Sequence, residues 1–98
     1  MAKLSELING DKPVLIDFSA EWCAPCKMMP PILKELSRLM DDRIRILKID
    51  VDKNPKVAQK YKIQGVPTLI LFKNGLPVWR QSGVQQALQL QSIINQYF

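Results

Sequence analysis

Cys23 and Cys26, the chain's two cysteines, stand three residues apart in Glu21-Trp22-Cys23-Ala24-Pro25-Cys26-Lys27. Two thiols so placed can exchange with a disulfide. One thiolate attacks a partner's S–S bond, a mixed disulfide forms, and the second thiol resolves it intramolecularly at high effective concentration. The attacking form is the thiolate, so the chemistry needs a site that favours the anion. A helix start supplies one, because its first N–H groups lack partners and its dipole is positive there. That interaction is worth about 0.3–1 kcal/mol, and up to ~2 kcal/mol when partly buried, which pulls the Cys23 pKa below that of free cysteine. On a helix, residues i and i+3 share a face, so the pair can bridge, and Cys26 is expected one turn deeper and less exposed than Cys23. Pro25 has no N–H to lose in a first turn, and its fixed φ stiffens the loop.

The flanking elements must hold that junction. Pro13 to Ser19 is an apolar, branched run that reads as a buried central strand, and Ala24 to Met40 reads as the main helix. Met29, Ile32, Leu33, Leu36 and Leu39/Met40 form the helix's apolar stripe, with Met28 and Met29 as core or rim filling. Pro30-Pro31 interrupts it, and Asp41-Asp42 closes it. Arg43 to Val51 is a second strand, so strand, helix, strand implies a parallel pair with a right-handed crossover. Pro55 opens a short helix ending near Tyr61. Thr68 to Phe72 and Pro77 to Gln81 flank Lys73-Asn74-Gly75, a hairpin turn whose second strand carries Pro77 and so belongs at an edge. A last helix spans about Gln85 to Tyr97, packing through Leu88, Leu90, Ile93, Ile94 and Tyr97. Residues 3 to 9 give a first short helix with Leu4, Leu7 and Ile8 on one face, stopping at Asn9-Gly10. Trp79 reads as surface or hairpin packing.

Composition narrows the class. A chain of 98 residues, 47% hydrophobic and 23% charged, makes one domain over residues 1–98 with a modest core. No apolar run approaches the ~20 residues of a membrane span. The start, Met1-Ala2-Lys3-Leu4-Ser5-Glu6, has no secretory core, so a cytoplasmic location is expected, with a removed precursor signal as the alternative. With no histidine, Cys–His catalysis and histidine metal sites are excluded within the chain. A single CxxC gives two metal ligands where structural zinc usually takes four, so only a bridged dimer would complete such a site. The net charge of +5 raises nucleic acid as a partner. The cations are scattered, however, with one loose group at Lys53, Lys56, Lys60 and Lys62. No nucleic-acid motif accompanies them, so a solvated basic surface is the reading adopted.

The ordered set of Asp17, Trp22-Cys23-Ala24-Pro25-Cys26-Lys27, Pro31, Lys48, Gly65-Val66-Pro67-Thr68, Lys73-Asn74-Gly75 and Gly83 resembles the thioredoxin family. It covers nearly the whole chain. Two positions depart from the usual pattern: Ala24 replaces a glycine, adding a methyl beside Cys23, and Ser19 stands where tryptophan is common. The resemblance implies an α/β thioredoxin fold, a central mixed four-stranded sheet with helices on both faces, its usual first strand absent or vestigial. It implies Cys23 as nucleophile, Cys26 as resolver, and Asp17 beneath Cys26 as proton acceptor, with Lys48 paired to it. A carboxylate buried on that strand should have a raised pKa. The plain alternative is a solvated aspartate at a sheet edge, and for Lys48 a solvent-facing strand residue. The resemblance further implies a cis Val66-Pro67 bond facing the cysteines, leaving the Val66 backbone free to pair with an extended substrate. Trp22, Ala24, Pro25, Gly83 and Val84 would rim that groove, core packing being the alternative for Trp22.

The activity implied is reduction of protein disulfides by a monomer with no bound cofactor, re-reduced by an NADPH-dependent thioredoxin reductase. Neither nucleic acid nor membrane is an expected partner. Ala-Pro between the cysteines is similar to the reducing Gly-Pro type rather than to the oxidase and isomerase types, which carry histidine there. The competing classes are a binding module with incidental cysteines, and a thiol oxidase or isomerase.

Overall fold

The computed structural model describes residues 3–98, so Met1-Ala2, the start on which the cytoplasmic expectation leans, lies outside the described residues. The elements run α1 (Leu4–Ile8), β1 (Val14–Ser19), a 3₁₀ turn (Pro25–Met28), α2 (Met29–Met40), a second 3₁₀ turn (Asp41–Arg43), β2 (Arg45–Asp50), α3 (Pro55–Lys60), β3 (Thr68–Lys73), β4 (Leu76–Ser82) and α4 (Ala87–Asn95). The sheet order is β2-β1-β3-β4. β1 runs parallel to β2 and antiparallel to β3, and β3 pairs antiparallel with β4. Among the described residues no strand precedes α1.

All six β1 residues are buried, because the strand is central and both its faces are covered. Side chains alternate across it. Leu15 joins Leu69, Leu71 and the buried stripe of α2 (Met29, Leu33, Leu36, Met40), with Leu90 and Ile94 of α4. Val14, Ile16 and Phe18 join Ile70, Phe72 and Ile8 on the opposite face, where Val57 and Tyr61 of the α3 segment also pack. The β3–β4 turn forms as expected: Asn74 (φ 55°) and Gly75 (φ 80°) both occupy the left-handed region that a tight two-residue hairpin requires. Pro77 falls on the edge strand β4, where no neighbour needs its missing N–H.

Several expectations are corrected. The main helix does not begin at Ala24 as α-helix. Pro30 and Pro31 have no N–H for the Cys26 and Lys27 carbonyls, so the turn closes as 3₁₀, with the Met29 N–H donating to the Cys26 carbonyl. The two prolines therefore sit in the first turn of α2 rather than kinking its middle. Met28 is 55% exposed, whereas Met29 is fully buried; only the latter lies on the stripe with Leu33 and Leu36. The last helix is shorter than its pattern, because Gln86 is extended and no side chain caps the start. Leu88 does not pack inward. It is 71% exposed, since Ala87, Leu90, Ile94 and Tyr97 set the inward face and Leu88 lies about 200° around the axis from Leu90. Trp79 is half-buried against the α2/α4 core.

Candidate active site

β1 delivers the chain to the site buried and straight, and the turn after it is closed by the Cys23 N–H donating to the Ala20 carbonyl at 3.2 Å. Cys23 and Cys26 are joined as a disulfide with a Cα–Cα separation of 5.3 Å, inside the range that bridged cysteines need. The Cys26 N–H points at Cys23 Sγ at 3.1 Å. A donor held there stabilises the anion more than the neutral thiol and so favours a Cys23 thiolate once the bond opens. Pro25 occupies the first position of the 3₁₀ turn, where it leaves that donor in place.

Both cysteines are 4% exposed, so Cys23 is not the more accessible of the two in the oxidised form. In the bonded pair each sulfur covers the other, Ala20, Val51 and Val66 pack around them, and Cys23 Sγ lies 3.5 Å from the Val66 carbonyl oxygen. That oxygen is the acceptor a reduced Cys23 S–H would meet. The Val66-Pro67 peptide is cis, as the resemblance implies. Pro67 is buried, and its carbonyl accepts the Gly83 N–H at 2.8 Å. Gly83 adopts φ 93°, a conformation that glycine takes without strain. Val84 next to it is half-buried and turned into the α2/α4 core, so its side chain is not a free rim.

Asp17 is fully buried, and neither of its carboxylate oxygens has a hydrogen-bond partner among the described residues. Burial raises its pKa to about 6, and the nearby Lys48 charge partly opposes that rise. Lys48 is the register partner of Asp17 across the β1–β2 ladder and is exposed. A solvated aspartate at a sheet edge is therefore ruled out: Asp17 sits on the central strand, on the α2 side of the sheet. A cleft of about 730 Å³ is lined by Ser19, Cys26, Lys27, Pro30 and Lys48 among others. Cys26 and Lys48 thus line one recess.

Trp22 is 71% exposed, which settles its two readings against core packing. Its indole N–H donates to Asp52 at 2.8 Å. Asp52 is itself positioned by Asp50, whose carboxylate accepts the Asp52 N–H at 2.8 Å and the Lys53 N–H at 3.2 Å. Lys53 then pairs with Glu21 at 3.1 Å. The β2–α3 loop is thereby tied to both residues before Cys23. Sequence reasoning missed Asp50 and Asp52; the available signal was an Asp-x-Asp-x-Asn run that could form an Asx turn after a strand. Ala24 and Pro25 are exposed beside Cys23. Among the described residues no group of three or more potential ligands could hold a metal ion.

The family model named Thioredoxin matches residues 2–96. The chain belongs to the thioredoxin family. A thioredoxin-like protein of Synechocystis is 52% identical over 90 residues, covering 91% of this chain and 86% of its own length. A chloroplastic thioredoxin of Arabidopsis thaliana is 52% identical over 84 residues, covering 86% of this chain and 49% of that longer protein. A solved thioredoxin of Halobacterium salinarum superposes with a TM-score of 0.88 at 36% identity, over 99% of this chain and 84% of that one. Thioredoxins are protein-disulfide oxidoreductases that need no bound cofactor, and Cys23–Cys26 is the pair that carries that thiol–disulfide chemistry here.

Proposed function

We propose that the protein works as a disulfide reductase, with Cys23 attacking the partner's disulfide and Cys26 releasing the product. The observation that carries this reading is the bridged Cys23–Cys26 pair with the Cys26 N–H aimed at Cys23 Sγ at 3.1 Å. In the first step the Cys23 thiolate bonds to one partner sulfur, and the other leaves as a thiolate that takes up a proton. The resulting mixed disulfide is then attacked by Cys26. Its thiol proton passes to the Asp17 carboxylate, the Cys23–Cys26 bond forms, and the second partner sulfur departs. Two electrons have moved to the partner, so the oxidised pair must be reduced again. An NADPH-dependent thioredoxin reductase is the proposed source. A buried carboxylate with a pKa near neutrality suits the second step, because it is both basic enough to accept a proton and acidic enough to release it.

Docking would use Trp22, Ala24, Pro25, the Val66 backbone beside Pro67, and the Gly83-Val84 segment. Proline's missing N–H keeps this stretch from continuing the ladder, so an extended partner segment can bond there. Both cysteines, Asp17 and the docking edge come from one chain, which supports a monomer as the working unit. A reducing compartment such as the cytoplasm fits a chain whose two cysteines are both in the exchange pair, with none left for a structural bridge. The test is reduction of a disulfide protein such as insulin by the dithiol form. Turnover above that of free dithiothreitol supports the reading, and none above it rejects it.

A further inference from the structure

All nine acidic residues lie in residues 1–52, the last being Asp52; from Lys53 to the C-terminus there are Lys53, Lys56, Lys60, Lys62, Lys73 and Arg80 and no carboxylate side chain. The fold gathers part of this imbalance at one place. Arg80 of β4 donates to the Tyr61 carbonyl and, at 2.8 Å, to the Lys62 carbonyl. Lys60 Nζ lies 5.5 Å from the centre of the Tyr61 ring. Lys60 and Arg80 thus meet at Tyr61, with Lys62 next to it in the chain and bonded through its carbonyl to Arg80; all three are exposed. None of them has an acidic partner within ion-pair distance among the described residues, where the only such pairs are Glu35–Arg38 and Glu21–Lys53.

This cluster borders the docking edge from two directions. Lys62 is four residues before Val66, at the start of the loop that reaches Cys23. Arg80 is three residues before Gly83, whose N–H holds the Pro67 carbonyl. At the rise of an extended strand that is about 10 Å, comparable to the Debye length of about 8–10 Å at physiological salt. A carboxylate on a docked partner that reaches from the Gly83 end of β4 towards Arg80 therefore comes within about one Debye length of the cluster, where screening is partial.

We infer that the protein prefers disulfide partners carrying acidic residues beside the target disulfide, on the side that faces Lys60, Lys62 and Arg80. The inference rests on the reductase reading and names the partner chemistry that reading leaves open. Clustered charge at a docking site acts chiefly on the approach of the partner and is salt-sensitive.

The test uses two peptides with the same disulfide, one flanked by glutamates and one by glutamines. At low salt kcat/KM for the acidic peptide should exceed that of the neutral one by roughly 10-fold. The ratio should fall to about 1 in 0.5 M NaCl, and also in a Lys60→Glu/Lys62→Glu variant shown by circular dichroism to be folded. Arg80 is left alone because it braces the chain at Tyr61 and Lys62. Reduction of neither peptide would reject the reductase reading. Equal reduction of both at low salt would overturn only the charge preference, and retention of a single-stranded oligonucleotide by the same lysines would then assign the patch to nucleic acid.

Discussion

The two sides of the cysteine pair are built from opposite materials. On the inner side stands Asp17, fully buried and without a hydrogen-bond partner among the described residues, on a strand whose six residues are all buried. On the outer side stand an exposed Trp22, a backbone carbonyl and a buried proline. The inner side holds a group that changes charge and has nowhere to move. The outer side holds groups that never change charge, with Trp22 open to water. This division separates proton handling from recognition, so the two should fail separately when altered.

The comparison breaks most completely at the sulfurs. Cys23→Ser should abolish turnover, whereas Cys26→Ser should stop it after one step and accumulate a mixed disulfide with the partner, seen as a thiol-sensitive band on non-reducing gels. A Cys26→Ser protein that traps nothing would reject the assignment of attacker and resolver.

Asp17→Asn attacks the inner side alone. Release from the mixed disulfide should slow by about 10²-fold at pH 7, with initial capture little changed. In the native protein the release rate should rise with pH through about 6, as the carboxylate ionises, and the variant should lose that step. Stability should move the other way. The folded-state pKa of Asp17 is raised from 3.8 to about 6, so the native state holds its proton longer than the unfolded chain does. The destabilisation is therefore absent below pH 4, grows as pH rises towards 6 and is complete above it. It amounts to about 2–3 kcal/mol at pH 7. Urea unfolding should find Asp17→Asn stabilised at pH 7 and not at pH 4.

Smaller effects sharpen the boundary. Lys48→Met removes the cation that opposes the Asp17 shift, so the midpoint of the release profile should move upward in pH. On the outer side, Trp22→Ala should raise KM several-fold for protein partners and leave the pH profile alone. Asp52→Ala, which frees the indole without deleting it, should raise KM about 2-fold. A pH shift in either outer variant would show that the two sides are not separable.

What the sequence made legible follows the same line between near and far. β1, the Asn74-Gly75 turn, the edge position of Pro77 and the Cys23–Cys26 bond depend on neighbours a few residues apart, and they were readable. Asp17 stood out because a charge in an apolar strand contradicts its surroundings. The Trp22–Asp52 bond spans thirty positions, and the Glu21–Lys53 pair thirty-two, with no local pattern to announce either. Sequence position alone puts Cys23 outside Cys26, whereas the bond between them and the packing of Ala20, Val51 and Val66 bury both. Leu88 was misplaced because apolar residues on a short helix outnumber the positions that its inward stripe can take.

β2 is the outermost strand on its side, half covered where β1 is sealed. Lys48, exposed on that strand, puts a charge on an edge that has no further strand partner among the described residues. A charge at such a margin is what keeps sheets from growing between molecules. Replacing the cation that tempers Asp17 with an apolar residue is therefore expected to lower solubility as well as shift proton transfer.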